Sequence, residues 1–360
     1  MIENPSVARA RELVLTCGWN STSFQIVNPG ISRWFSDRGD AVVGYVAAAG
    51  VRVAAGAPVC REERLAEVIE EFESDAKLAG ESVCFFCAES RLESAVEGRA
   101  HHSRFLLGAQ PTWRPVIWPE TVGKHKSLRA QLNRSRNKGV TVAEWPTEKA
   151  TGSESLAECL HAWLDSKGLP PLHFLVEPDT LNRLKHRRVF VAEHNGRVVG
   201  FVTLSPVVTR NGWLFEQFPH RPKAPNGTVE LMIDAAMRAL AADGCEYATL
   251  GLSPLSKRAE VANRDDPIWL RAALGWIRKH GQRFYNFDGL DAFKAKLGPE
   301  RWEPVFAVAN EPRVSPRTLY AIASAFSGNA PFQLLFGGLA KAAATEAKWI
   351  GRRFGANSSA

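Results

Sequence analysis

The residues best placed for chemistry lie in the second half of this 360-residue chain. Glu216 ends a run that reads as a strand, Trp213–Phe218, just before the turn PHRPKAPNG. Pro222, Pro225, Asn226 and Gly227 leave that turn little conformational freedom. Thr228 follows as the expected cap of a helix carrying Glu230, Met232, Ile233, Ala236 and Leu240. A strand, a tight turn and a helix start can aim backbone N–H groups at an anion or a developing oxyanion. A carboxylate at Glu216 would orient the amine of an acyl group, or take a proton from an attacking hydroxyl; a strand-end salt bridge is the plainer reading. Glu230 is read as a capping acid or as a residue supporting the site from one turn inside the helix.

Two further segments carry candidate binding residues. Lys124, Lys126, Arg129, Arg134, Arg136 and Lys138 crowd one expected helix, 123–138, with no acid among them. Leu128 and Leu132 give it a narrow apolar side for docking. A one-signed run of this density suits phosphodiesters, from transfer RNA or from lipid, although most charge runs are solvated helix faces. Downstream, RFYNFDGLDAFKAKLGPERWEP (residues 283–304) mixes aromatics with cations. Arg283, Tyr285, Asn286 and Lys294 could hold a terminal adenosine and its phosphates, while Phe284, Phe287 and Phe293 read as core. Arg221, beside His220, is a further cation next to the turn.

The negative signals narrow the chemistry. Cys84-Phe-Phe-Cys87 has no second pair to complete a zinc set and sits in an apolar run, so buried thiols on a strand are expected. No HExxH, GxSxG or P-loop occurs, and no metal or cofactor is expected. Neither GAPVCREERLA nor HRPKAPNGT has the Gly/Arg-rich look of a coenzyme-A pyrophosphate loop. A net charge of +7 favours an anionic partner, nucleic acid or an acidic membrane surface. There is no signal peptide pattern and no apolar run of about 18 residues, so a cytoplasmic protein without a spanning helix is expected.

These elements step back into a two-fold layout. Residues 5–17 read as a helix; Phe24–Ile26, Ala41–Ala48 and Val51–Ala55 as strands; Glu62–Ala79 as an amphipathic helix; Ser82–Ala88 as a buried strand. Glu144–Ser155 reads as a linker. Strands at Val189–Glu193, Val198–Leu204 and Trp213–Phe218 then precede the Thr228–Ala242 helix, the Tyr247–Leu250 strand and an Ile268–His280 helix. The repeated order predicts an α/β (α+β) fold of tandem acetyltransferase-like domains, mixed sheets flanked by helices, over residues 1–145 and 156–312. Residues 313–354 form an expected helical tail, suited either to an anionic membrane interface or to closing over the second domain.

The segments Glu216–Leu240, Thr249–Ser256 and Arg283–Pro304 resemble the catalytic domain of the aminoacyl-phosphatidylglycerol synthases, the multiple peptide resistance factor family. Residues 19–46, 53–60, 125–140 and 197–206 extend the resemblance in collinear order over roughly residues 19–308. It implies an aminoacyl-tRNA-dependent lipid aminoacyltransferase, moving an aminoacyl group to phosphatidylglycerol or a related lipid. The catalytic residues would be Glu216, Asn226, Gly227 and Thr228, and the substrate would be bound by Lys126, Arg129, Arg134, Arg136, Arg221, Glu230, Arg283, Tyr285, Asn286 and Lys294. The expected partners are aminoacyl-tRNA, an anionic phospholipid surface at the inner face of the cell membrane, and a separate membrane protein in place of the family's membrane-spanning portion. One departure stands out: the family has Asp at the Glu216 position with Arg three residues later, where this chain has Pro219. A related fold on a peptide amine, as in peptidoglycan-bridge aminoacyltransferases, and a non-catalytic lipid- or RNA-binding module are the alternatives.

Overall fold

The structure is a computed structural model that describes residues 4–167, 172–259, 269–270 and 286–327. Its strands are β1 (Ser32–Phe35), β2 (Val42–Ala48), β3 (Val51–Ala55), β4 (Ser82–Ala88), β5 (Ser103–Trp113), β6 (Val140–Trp145), β7 (Arg188–His194), β8 (Arg197–Val207), β9 (Gly212–Gln217), β10 (Tyr247–Thr249), β11 (Ser253–Pro254) and β12 (Arg301–Ala309). The helices are α1 (Pro5–Cys17), α2 (Leu65–Leu78), α3 (Ser90–Val96), α4 (Trp118–Lys124), α5 (Lys126–Asn137), α6 (Thr147–Ala150), α7 (Glu154–Lys167), α8 (Thr228–Ala242), α9 (Phe287–Lys296) and α10 (Pro316–Ser327).

Local chemistry accounts for the elements that carry the site. Asn4 caps α1 by accepting from the Ser6 N–H, with Pro5 in the first turn. In α2, Leu65, Val68, Ile69, Phe72 and Ala76 fall on one face and are buried, with acids turned outward. Two hairpins close through pairs of positive-φ residues, Ala49-Gly50 between β2 and β3 and Asn195-Gly196 between β7 and β8. That geometry matches the twist of the strands it joins.

One topological unit occurs twice. β1, β2 and β3 form an antiparallel meander, α2 crosses over, and β4 returns parallel to β3. β7, β8 and β9 form a second meander, α8 crosses over, and β10 returns parallel to β9. The two halves then exchange strands. β5 leaves the first half to lie antiparallel to β10, and β12 leaves the second to lie antiparallel to β4. β5 and β12 pair with each other from Arg301–Thr112 to Ala309–Ser103, so the sheet runs β1-β2-β3-β4-β12-β5-β10-β9-β8-β7-β6. The strand exchange crosses the expected division at residues 145 and 156. β6, placed with the first half by position in the chain, pairs with β7 of the second.

Helices cover both faces. α2 and α3 pack in one core cluster, and α1 and α10 in another on the first half. α4, α5 and α8 share a third, and α7 a fourth, on the second half. α10 packs on β2 and β3 and also meets His173 and Phe174, so this part of the tail closes over the first half and reaches the second. Residues beyond 327 lie outside the described residues, as does most of the expected 268–280 helix.

Other expectations change locally. Phe24–Ile26 is not a strand but part of a 3-10 turn, Ser23–Val27, because the Ser23 hydroxyl and N–H bond back to the Asn20 carbonyl. The basic helix is broken at His125, where extended backbone separates α4 from α5. The polar 144–155 stretch holds α6 and the start of α7. All six cysteines are buried thiols, and burial pushes the Cys84 and Cys87 thiols up, which suits inert strand residues.

Candidate functional site

Glu216 lies on β9 just past Leu214, its last residue paired with β10, where the two parallel strands stop pairing. Its carboxylate is almost wholly buried, with the side chain 6% exposed, beside the 1%-exposed Arg187. The Arg187 Nε donates to Oε1 at 2.9 Å, Gln25 Nε2 donates to the same oxygen at 3.0 Å, and Thr203 Oγ1 donates to Oε2 at 3.1 Å. Arg187 also donates from Nη1 to the Arg183 carbonyl and from Nη2 to Asn28 Oδ1, and its guanidinium lies 4.9 Å from the Phe24 ring centre. Glu216 is therefore part of a buried, hydrogen-bonded ion pair, and as a carboxylate with about four acceptor positions it keeps one open on Oε2 among the described residues.

The partners of Glu216 come partly from the first half. The segment Trp19–Asn28 threads between the halves with Asn20, Ser21, Ser23, Gln25 and Asn28 all buried. Its C-terminal end serves Glu216. Its N-terminal end serves a second cluster, in which Ser21 N–H donates to Glu89 Oε1 at 2.6 Å and Ser21 Oγ to Gln110 Oε1 at 3.1 Å. Arg210 bridges Glu89 and Glu303 there and stacks 3.6 Å from the Tyr247 ring centre. Burial raises the Glu89 carboxyl above its ordinary range, with Arg210 opposing, and burial likewise raises the Tyr247 phenol.

The turn after β9 is built against the basic helix. Gly227 has φ 94°, and a Cβ there would sit 2.3 Å from the Gln131 carbonyl oxygen of α5. Only glycine admits that approach. Gly227, not Thr228, occupies the cap position. Thr228 is the first helical residue, and its N–H and its hydroxyl both go to the Pro225 carbonyl, at 3.2 and 2.6 Å. The expected capping role of Thr228 is thus overturned by the tightness of the proline turn. Asn226 is exposed at the tip. Glu230 is buried and accepts from Lys296 Nζ at 2.6 Å, which ties α8 to α9.

The basic residues divide by what they touch. Arg136 is held by Asp234 of α8 at 2.6 Å. Arg129 donates to the Val122 and Gly123 carbonyls and so closes the end of α4. Arg221 binds the Val198 carbonyl and Glu158, away from Glu216. Lys126 and Arg134 stay exposed on α5. The arginine that meets Glu216 is thus Arg187, upstream, rather than Arg221.

At the far side of the β9–β10 opening, Lys294 of α9 is buried, 4% exposed, and donates from Nζ to the Gly251 and Leu252 carbonyls at 2.8 and 2.9 Å. Burial lowers its ammonium to about 7, with Asp291 pulling the other way. Asn286 caps α9 by accepting from the Gly289 N–H. Arg283 and Tyr285 lie outside the described residues. Gln25, Asn28, Arg187, Glu89, Arg210 and Asp234 do not stand out in the sequence; the one signal is a polar residue in or beside an apolar run, Gln25 in SFQIV and Arg187 in HRRVFVAE, and the other four carry none.

The doubled meander-crossover unit, with a carboxylate where its parallel strands part, defines a tandem acetyltransferase-like α/β protein. The family model described as phosphatidylglycerol lysyltransferase, C-terminal, matches residues 11–309, and the chain belongs to that family. A phosphatidylglycerol lysyltransferase of Bacillus subtilis is 25% identical over 291 residues, covering 80% of this chain and 33% of the relative. The lysylphosphatidylglycerol biosynthesis bifunctional protein LysX of Mycolicibacterium gilvum is 22% identical over 290 residues, 79% of this chain and 26% of the relative. The chain thus spans a third or less of these relatives' length. In fold it is similar to the C-terminal domain of a putative lysylphosphatidylglycerol synthetase from Agrobacterium fabrum, with TM-score 0.76 and 24% identity over 90% of this chain and 98% of that one. L-PGS from Bacillus licheniformis superposes with TM-score 0.74 at 21% identity over 90% and 97%.

Proposed function

We propose that this protein transfers an aminoacyl group from aminoacyl-tRNA to a hydroxyl of phosphatidylglycerol or a related anionic lipid. Family membership over residues 11–309 supports lipid aminoacylation, and the held carboxylate of Glu216 at the parting of β9 and β10 is the observation that gives it a site. The donor ester is already activated, so the protein has mainly to position the reactants. The lipid hydroxyl oxygen attacks the ester carbonyl and a new C–O bond forms. The C–O bond to the ribose breaks, and the proton from the lipid hydroxyl ends on the ribose oxygen. In the first turn of α8 the Thr228 N–H goes to the Pro225 carbonyl, so among the described residues the Val229 and Glu230 N–H groups are the ones left to meet the tetrahedral oxyanion. Glu216, with one acceptor position open on Oε2, holds the amino group of the donor.

The exposed Lys126 and Arg134 of α5 meet phosphates of the RNA, and the lipid is approached from an anionic membrane surface with no cofactor required. No helix among the described residues is long and apolar enough to cross a membrane; on this proposal the protein meets lipid peripherally or beside a separate membrane protein. The test is transfer of labelled amino acid from charged tRNA to phosphatidylglycerol vesicles by the purified chain. Label in the lipid fraction that disappears with Glu216→Ala supports the reading. Label-free lipid with folded protein and intact charged tRNA sinks it.

A further inference from the structure

We infer that Arg187 is a positioning residue for Glu216, and that the first half of the protein completes its clamp through Gln25 and Asn28. This rests on the role given to Glu216 above.

Four side chains close a ring. Arg187 Nε donates to Glu216 Oε1, and Arg187 Nη2 donates to Asn28 Oδ1. Asn28 Nδ2 donates to Gln25 Oε1 at 2.8 Å, and Gln25 Nε2 returns to Glu216 Oε1 at 3.0 Å. Gln25 also donates to Ser205 Oγ of β8 at 3.1 Å, which fixes its amide plane. All four residues are at most intermediate in exposure, and Asn28 and Gln25 are fully enclosed. Two members come from the Trp19–Asn28 segment and two from the second half, so the ring exists only when both halves are in place.

The arrangement is asymmetric. Both ring donors converge on Oε1, while among the described residues Oε2 has only the Thr203 hydroxyl. The ring thus fixes the plane of the carboxylate and leaves Oε2 as the oxygen that can take a substrate donor. Burying an ion pair does little for stability compared with apolar packing, because its desolvation offsets the attraction. A fully satisfied ring around one carboxylate with one open acceptor is what a preorganised site needs. Arg187 brings its guanidinium to Glu216 from a position 29 residues upstream.

The experiment measures kcat and KM for the purified full chain with charged tRNA and phosphatidylglycerol vesicles, alongside circular dichroism. Arg187→Ala is expected to lower kcat on the order of 100-fold with KM for aminoacyl-tRNA within about twofold. Added guanidinium ion should restore part of kcat by refilling the space that Arg187→Ala vacates beside Glu216. Arg187→Lys keeps the charge but not the three-way geometry and should recover less than guanidinium does. Asn28→Ala keeps every charge, guards against a misfolded Arg187 variant, and should lower kcat about tenfold. Folded Arg187→Ala and Asn28→Ala with unchanged kcat, or losses that follow the unfolded fraction and ignore guanidinium, overturn the inference. Glu216→Gln at full kcat would instead sink the reading of Glu216 itself, whatever the Arg187 variants do.

Discussion

Arg136 on α5 reaches Asp234 on α8 at 2.6 Å, and Asp234 is only 2% exposed. The same carboxylate accepts from Trp118 Nε1 at 2.9 Å and from Arg238 Nε at 3.0 Å. One arginine of the basic run is therefore an anchor, and it fastens the helix that presents the others.

This division predicts opposite phenotypes along one helix. Arg136→Ala leaves a buried acid short of a donor and should cost about 1–3 kcal/mol of stability. Lys126→Ala and Arg134→Ala should change stability by less than about 0.5 kcal/mol. They should instead weaken RNA binding and reduce the slope of log affinity against log salt by about one for each phosphate no longer neutralised. Urea unfolding together with salt-titrated RNA binding separates the two effects.

Gly227→Ala should be destabilising well beyond an exposed-turn substitution. The new methyl meets the Gln131 carbonyl at 2.3 Å, and the backbone must hold φ 94°. A loss of about 1–3 kcal/mol in thermal unfolding is expected from strain alone. Asn226→Ala, at the exposed tip, should be nearly neutral in the same assay.

Lys294 gives stability a specific pH dependence. Its folded-state value of about 7 lies below the ordinary 10.5, so between those values the unfolded chain binds a proton that the folded chain does not. Its contribution makes stability rise with pH across that window, by roughly 1.4 kcal/mol per unit at most. Below it, both states are protonated and the burial cost is fully present. Lys294→Met should flatten the slope of unfolding free energy from pH 7 upward. A slope unchanged by the substitution would assign the dependence elsewhere.

The Glu89–Arg210–Glu303 joint should tolerate loss of one acid better than loss of the base. Arg210→Met strands Glu89 inside the protein and should cost about 3–5 kcal/mol. Glu89→Gln keeps an acceptor for the Ser21 N–H and leaves the Arg210–Glu303 pair, at 2.6 Å, intact. It should cost far less at pH 7. Burial raises the Glu89 carboxyl, so the folded state takes up its proton at higher pH than the unfolded state does, and its burial cost grows as pH rises through that range. Glu89→Gln should remove that dependence, which chemical unfolding on either side of the range would show.

Much of the frame was legible from local pattern. The 3.6-residue spacing of Leu65, Val68, Ile69, Phe72 and Ala76 marks α2, and Asn195-Gly196 between apolar runs marks the β7–β8 hairpin. The doubled order of strands and helix was visible for the same reason. The exchange of β5 and β12 was not, because an apolar strand does not state which half it will join. Phe24 and Ile26 misled as a strand since the deciding bonds, Ser23 to Asn20, are side-chain closures. Glu216 stands out as a candidate from its place before a rigid turn. Its partners do not, since Gln25 lies 191 residues away and Arg187 lies 29, and no periodicity encodes pairings at those separations.

The central claim is most directly tested by lipid mass spectrometry on bacteria expressing the wild-type chain, Glu216→Ala or Arg187→Ala at matched levels. An amino-acid-modified phosphatidylglycerol or related lipid is predicted in the wild type, absent with Glu216→Ala and strongly reduced with Arg187→Ala. Wild-type and Glu216→Ala cells with the same modified lipid, or an unmodified lipid profile in cells where folded wild-type protein and its charged tRNA are both present, would contradict it.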